Sequence, residues 1–215
     1  MNTIVLAALC MAVMLFMNLK RGKKYNVSFR KAITLSVAMG VMGMIGTYIL
    51  YFIENGGWGG QSFFGAMLFY PLLLYPVAIL ARMRLTRLLD YATPPGMAML
   101  GLFKLNCSLV GCCGGVVLYH TTTGIPVFFP SQIVEMVIAF LMMSMLVYFE
   151  YKGKYDGALY AVTLIVYGAS RFAINFLRWK QDEFLFGLPP GNIWSIVSIF
   201  IGIILFAIKK LKKVA

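Results

Sequence analysis

Seven runs of about twenty predominantly apolar residues follow one another along the chain. They lie near residues 2–19, 33–53, 62–81, 91–111, 131–150, 157–177 and 191–208. A run of that length, wound as a helix, spans the hydrocarbon core of a bilayer. In lipid every backbone polar group must be bonded internally, so helices are the element such runs adopt. Composition agrees: 61% of residues are apolar, 12% are charged, and the mean hydropathy is +0.84. Soluble domains are nearer half apolar and a quarter charged. A soluble globular enzyme is therefore excluded, and so is disorder, which needs low hydrophobicity. Four Cys and no glycine period exclude a disulfide framework and a collagen-like chain. The expected fold is an all-α integral membrane protein, a bundle of about seven transmembrane helices forming one polytopic domain over 1–215.

The charges set an orientation. Lys20, Arg21, Lys23, Lys24, Arg30 and Lys31 follow the first run, and Arg82, Arg84 and Arg87 follow the third. Lys152 and Lys154 follow the fifth, and Lys209, Lys210, Lys212 and Lys213 follow the seventh. If the spans alternate, these fifteen of the 19 basic residues share one side, and only Arg178 and Lys180 lie on the other. Cytoplasmic loops carry the Lys and Arg excess, so the N-terminus is expected outside and the C-terminus in the cytoplasm. The net charge of +12 is thus read as topology, with no nucleic acid as partner. The first run lacks a basic segment before it, so it is expected to be a span and not a cleaved signal.

Few ionisable residues fall inside the runs, and each costs about 2.5–3.5 kcal/mol on insertion scales. They are Lys104 in the fourth, Glu135 one turn into the fifth, and Arg171 in the sixth, with Arg178 at its end. Tyr167, Arg171, Asn175 and Arg178 recur at helical spacing and form one stripe. Two guanidiniums and an amide on one face suit a phosphate, and a phospholipid headgroup is the available anion. Gln132 and Glu135, three apart, can face the same place. Glu135 and Arg171 read equally as a structural ion pair joining two helices.

Other signals are weaker. Gly56–Gly60 and Gly111–Gly115 are turns, or places where backbone approaches a ligand. Cys107, Cys112 and Cys113 have no zinc-like spacing and are read as thiols without a metal. His120 is the single histidine; it is a solvated loop residue or a general base. Met142, Met143 and Met145 read as apolar filler. Trp58, Trp179 and Trp194 are expected at the membrane boundary.

These residues carry a resemblance. Tyr167-Gly168-Ala169-Ser170-Arg171-Phe172 with Asn175 and Arg178, and Pro130-Ser131-Gln132 with Glu135, resemble segments of the prolipoprotein diacylglyceryl transferase family. Gly191-Asn192 with Ser195 and Gly202 is similar to its last helix. Asp90, Pro94 and Lys104 fall at the spacing of its fourth, followed by Gly111 and Gly115. Gly59-Gly60 and Ser62 through Gly65 resemble its glycine-rich entry to helix three. The likeness runs from about residue 56 to 205.

The resemblance implies a seven-span bacterial inner-membrane enzyme. It would move the diacylglyceryl group of phosphatidylglycerol, or a related anionic phospholipid, onto the cysteine thiol of a preprolipoprotein lipobox. The resemblance assigns Lys104 and Arg171 to the headgroup and Glu135 to ordering them, with no cofactor and no metal. Tyr167, Asn175, Arg178, Gln132, Gly111, Gly115, Ser62 and Gly65 would line the substrate site, and His120 is the candidate base. The chain departs from the family where Phe64 and Phe129 stand in place of His, Lys104 in place of Arg, and Asn175 in place of an acid. Those departures keep a second reading in play, a non-catalytic relative that binds phospholipid or lipoprotein. A small-molecule permease is the third, and the lack of an inverted repeat counts against it.

Overall fold

The computed structural model describes residues 3–112, 114–179 and 184–214. Seven helices run in order: α1 (Thr3–Tyr25), α2 (Phe29–Asn55), α3 (Phe63–Leu80), α4 (Leu85–Val110), α5 (Ser131–Tyr151), α6 (Leu159–Asn175) and α7 (Pro190–Val214). A hairpin of β1 (Val117–His120) and β2 (Pro126–Phe128) interrupts them between α4 and α5. Five helices, α1, α2, α3, α5 and α7, are long and apolar enough to cross a membrane. The other two carry the charges that lower their hydropathy: Arg87, Asp90 and Lys104 on α4, and Arg171 on α6, which is also short. Large apolar side chains face outward on the long helices, among them Phe16, Val37, Leu72, Leu141 and Phe200. That is the pattern of a surface solvated by lipid.

The seven helices agree with the all-α reading, and the hairpin between α4 and α5 is a small β addition to it. One expectation is corrected. The stripe Tyr167–Arg178 is broken, because α6 ends at Asn175 and Arg178 lies in the following turn. Trp194, one turn into α7, packs half-buried against the bundle core.

Helix ends follow the sequence. Gly56 and Gly111 close α2 and α4 in the left-handed conformation, at φ +68° and +77°, where a residue without Cβ is unstrained. Close crossings need small residues. A Cβ on Gly168 would meet Ile199 Cγ1 at 2.8 Å, and one on Gly202 would meet Ile165 Cγ1 at 2.7 Å, so α6 and α7 touch along their backbones.

The prolines do not break their helices. A proline lacks the N–H that would bond the carbonyl four residues earlier, and in lipid that carbonyl needs another donor. Pro71 frees Met67 C=O, which accepts from Tyr160 Oη on α6. Pro94 and Pro95 free the carbonyls of Asp90 and Tyr91. Arg21, on α1, donates to both, Nη2 to Asp90 at 3.1 Å and Nη1 to Tyr91 at 2.8 Å. Its Nε lies 2.6 Å from Glu150 Oε2 on α5, and its guanidinium stacks on Tyr25 and Tyr91. Lys24 donates to the Glu150 carbonyl, and Asp90 accepts from the Gly157 and Tyr160 amides. This knot ties α1, α4, α5 and α6 at the basic end, where the α1–α2, α3–α4 and α5–α6 turns meet.

Candidate functional site

The opposite end holds a second charged cluster, built from three helices. Glu135, one turn into α5, is 4% exposed. Lys104, late in α4, places Nζ 2.6 Å from Glu135 Oε2. Arg171, late in α6, donates from Nη1 to Glu135 Oε1. The pairing offsets much of the desolvation of the buried carboxylate. Two cations on one carboxylate still leave the cluster positive, and the charge of Arg178 acts on Glu135 as well. Arg171 makes one side-chain hydrogen bond among the described residues, so further N–H groups of its fork stand available.

Tyr167, one turn before Arg171, is buried and feels Arg171, Glu135 and Arg178. Its ring packs on Phe63 and Phe64, with centroids 5.3 and 5.4 Å away. Position 64 thus faces the cluster's aromatic wall, but with a benzyl ring that moves no proton. Asn175 is buried and neither amide atom has a partner among the described residues. It stands directly against Gly191, where any side chain on α7 would collide with it.

The remaining residues from the sequence fall around this core. Gln132 donates to the Cys112 carbonyl and so ties the end of α4 to α5. Gly115 is wedged against Phe129 and Leu177, bridging to Arg178. Gly111 is the α4 cap. Gly65 presses on the Gly46 carbonyl, a helix-packing position. Ser62 begins α3 and donates to Glu54 Oε1 at 3.2 Å; the sequence reading passed over Glu54, which periodicity places at the end of an apolar helix with no partner in sight. His120 pairs opposite Pro126 on the exposed hairpin, and no described contact ties it to the cluster. Cys112 is exposed with a free thiol, whereas Cys113 and Lys180 lie outside the described residues.

Fold and site together define a helical membrane protein with a net-positive, three-helix cluster buried at one end. The chain belongs to the prolipoprotein diacylglyceryl transferase family, whose sequence profile matches residues 3–208. Curated relatives named phosphatidylglycerol–prolipoprotein diacylglyceryl transferase match over most of their length. The protein of Clostridium tetani is 24% identical, over 90% of this chain and 85% of its own. One from Dehalococcoides mccartyi is 25% identical, over 93% and 84%. A second-copy enzyme of Clostridium perfringens is 26% identical, over 94% and 87%. The family is a transferase family of bacterial membranes, and the likeness extends to α1 and α2, beyond the segment where motifs were legible.

Proposed function

We propose that this chain transfers the diacylglyceryl group of phosphatidylglycerol to the lipobox cysteine of a preprolipoprotein. The observation that carries the reading is Glu135 bridging Lys104 and Arg171 from three helices. The two cations are held close together by a carboxylate that does not neutralise both. A phosphodiester entering beside them meets an Arg fork and a point charge in a site of low dielectric, where such contacts are strong. As the thiol sulfur attacks the glyceryl carbon, the carbon–sulfur bond forms and the carbon–oxygen bond to phosphate breaks. Glycerol 1-phosphate leaves with the extra negative charge, which Lys104 and Arg171 stabilise. The thiol proton goes to a base. His120 takes that role in this reading only with the β1–β2 hairpin folded toward the cluster, and His120→Ala tests it.

The same reading places seven spans in a bacterial inner membrane as one domain over 1–215, N-terminus outside and C-terminus in the cytoplasm. Tyr167, Asn175, Arg178, Gln132, Gly111, Gly115, Ser62 and Gly65 then shape the lipid and peptide site.

Phe64 supports a second reading. It stands where the family has His and packs on Tyr167, so a non-catalytic phospholipid-binding relative would keep this cluster and lack the chemistry. One experiment separates them. Purified protein is mixed with phosphatidylglycerol and a lipobox peptide, and the peptide is weighed for a diacylglyceryl adduct. An adduct that Arg171→Ala abolishes supports the transferase. Loss of one bound phosphatidylglycerol in Arg171→Ala, with no adduct from the wild type, supports the binding relative.

A further inference from the structure

The basic end carries a cleft of about 750 Å³ between the α5–α6 turn and the end of α7, lined by Lys154, Tyr155, Asp156, Phe206, Lys209 and Lys210. It is unrelated to the Lys104–Glu135–Arg171 cluster, which sits at the other end of the same helices. Three ammonium groups converge on it. Its one carboxylate, Asp156, lies 3.2 Å from Lys24 Nζ, and among the described residues no carboxylate pairs with Lys154, Lys209 or Lys210. Three unpaired like charges around one concavity repel one another, and an anion between them relieves that repulsion.

The floor is built to hold its shape. Gly153, Tyr155 and Gly157 all sit at positive φ, +65°, +61° and +78°. The turn is stapled by Lys154 N donating to Phe149 O at 2.8 Å and Ala158 N to Tyr155 O at 2.7 Å. A Cβ on Gly157 would meet Lys209 Nζ at 2.6 Å, so the ammonium of α7 rests on the turn's backbone. The walls are aromatic: Tyr155 lies 5.9 Å from Phe206 and 5.0 Å from Phe149, centroid to centroid. On the cleft's side of α7, Ile203 and Ile196 continue the helical stripe of Phe206 and Lys210 away from the basic end, and both are exposed.

Cations at a helix end above an apolar face match a molecule with a phosphate head and acyl tails. Basic pockets between membrane helices on the side rich in Lys and Arg bind such headgroups. We propose that this cleft is a binding site for the phosphate of an anionic glycerophospholipid, its acyl chains lying along α7. It is separate from the catalytic headgroup site and occupied from the opposite side of the membrane.

The test is native mass spectrometry of the full chain, titrated with phosphatidylglycerol or phosphatidylcholine. Three variants accompany it: Lys154→Ser/Lys209→Ser/Lys210→Ser, the charge-matched Lys20→Ser/Lys23→Ser/Lys152→Ser outside the cleft, and Arg171→Ala. The expected result is two phosphatidylglycerol molecules bound by wild type and one, at the cleft, by Arg171→Ala, with the cleft site weakened about a hundredfold in the cleft triple variant and nearly unchanged in the charge-matched one. Equal weakening in both triple variants would mean diffuse surface charge and would overturn the site. Equal binding of phosphatidylcholine would overturn the requirement for an anion. Full displacement of the lipid by millimolar glycerol 1-phosphate, with that small anion binding equally well alone, would overturn the lipid as occupant. A thermal melt of each variant in detergent confirms that it is folded before it is scored.

Discussion

Two buried Arg–Glu pairs lie at opposite ends of one bundle, and they are finished to different degrees. At the basic end Arg21 meets Glu150 and two backbone carbonyls and is stacked between two tyrosines. Each of its three nitrogens donates to a protein acceptor. At the other end Arg171 bonds one oxygen of Glu135, shares that carboxylate with Lys104, and has an amide with no partner, Asn175, one turn away. The chemistry of the pair is the same. What differs is how far the guanidinium is engaged: all three nitrogens of Arg21 bond protein acceptors, whereas among the described residues Arg171 uses one and shares its carboxylate with a second cation. A guanidinium bonded through every nitrogen holds helices together, while one with nitrogens in reserve is fit to receive an anion.

That contrast can be broken by mutation. Arg21→Ala should have the largest effect on stability, about 3–5 kcal/mol, because it strands the Glu150 carboxylate. Denaturation in detergent micelles would show it; a loss below 1 kcal/mol would put Arg21 on a par with a surface charge. Arg171→Ala should cut diacylglyceryl transfer by about 10²–10³-fold, with a smaller loss of stability than Arg21→Ala, since Lys104 still pairs with Glu135. A stability loss equal to that of Arg21→Ala would erase the distinction between the two ends. Pro94→Ala with Pro95→Ala, placed on Arg21→Ala, should recover about 2 kcal/mol by returning N–H donors to two carbonyls. No recovery would mean that Arg21 acts through Glu150 alone. Tyr160→Phe should cost about 1 kcal/mol, the bond to the carbonyl freed by Pro71, and should leave transfer per folded molecule unchanged.

The two ends were also unequally legible in the sequence. Lys104, Glu135 and Arg171 stand inside apolar runs, where each charge is conspicuous because lipid penalises it, and the structure brings the three together. Arg21 and Glu150 stand at the ends of runs, among residues that read as flanking charge. The signal that points to Arg21 was present in another place: adjacent prolines at 94 and 95 demand two donors from outside their helix. Periodicity cannot say which helix supplies them, because that depends on how α1 and α4 pack. The hairpin and the early end of α6 escaped for a related reason. Val116 N–H bonds to Leu177 O and Phe129 N–H to Val116 O, at 3.0 and 2.9 Å, so segments distant in sequence decide where the helix stops.

The dependence of α4 on Arg21 bears on how the protein is made. The fourth helix carries two carbonyls that its own backbone cannot satisfy, and the group that satisfies them belongs to α1, which precedes it in the chain. The order of synthesis therefore has the donor waiting when its acceptors emerge. Expressed without its first 25 residues, the chain would still contain every group of the Lys104 cluster, yet α4 would have to bend or draw in water at Asp90 and Tyr91. A fragment of that kind should be degraded in cells and rescued by supplying α1 as a separate peptide, which would make the N-terminal helix an assembly factor encoded in the same chain.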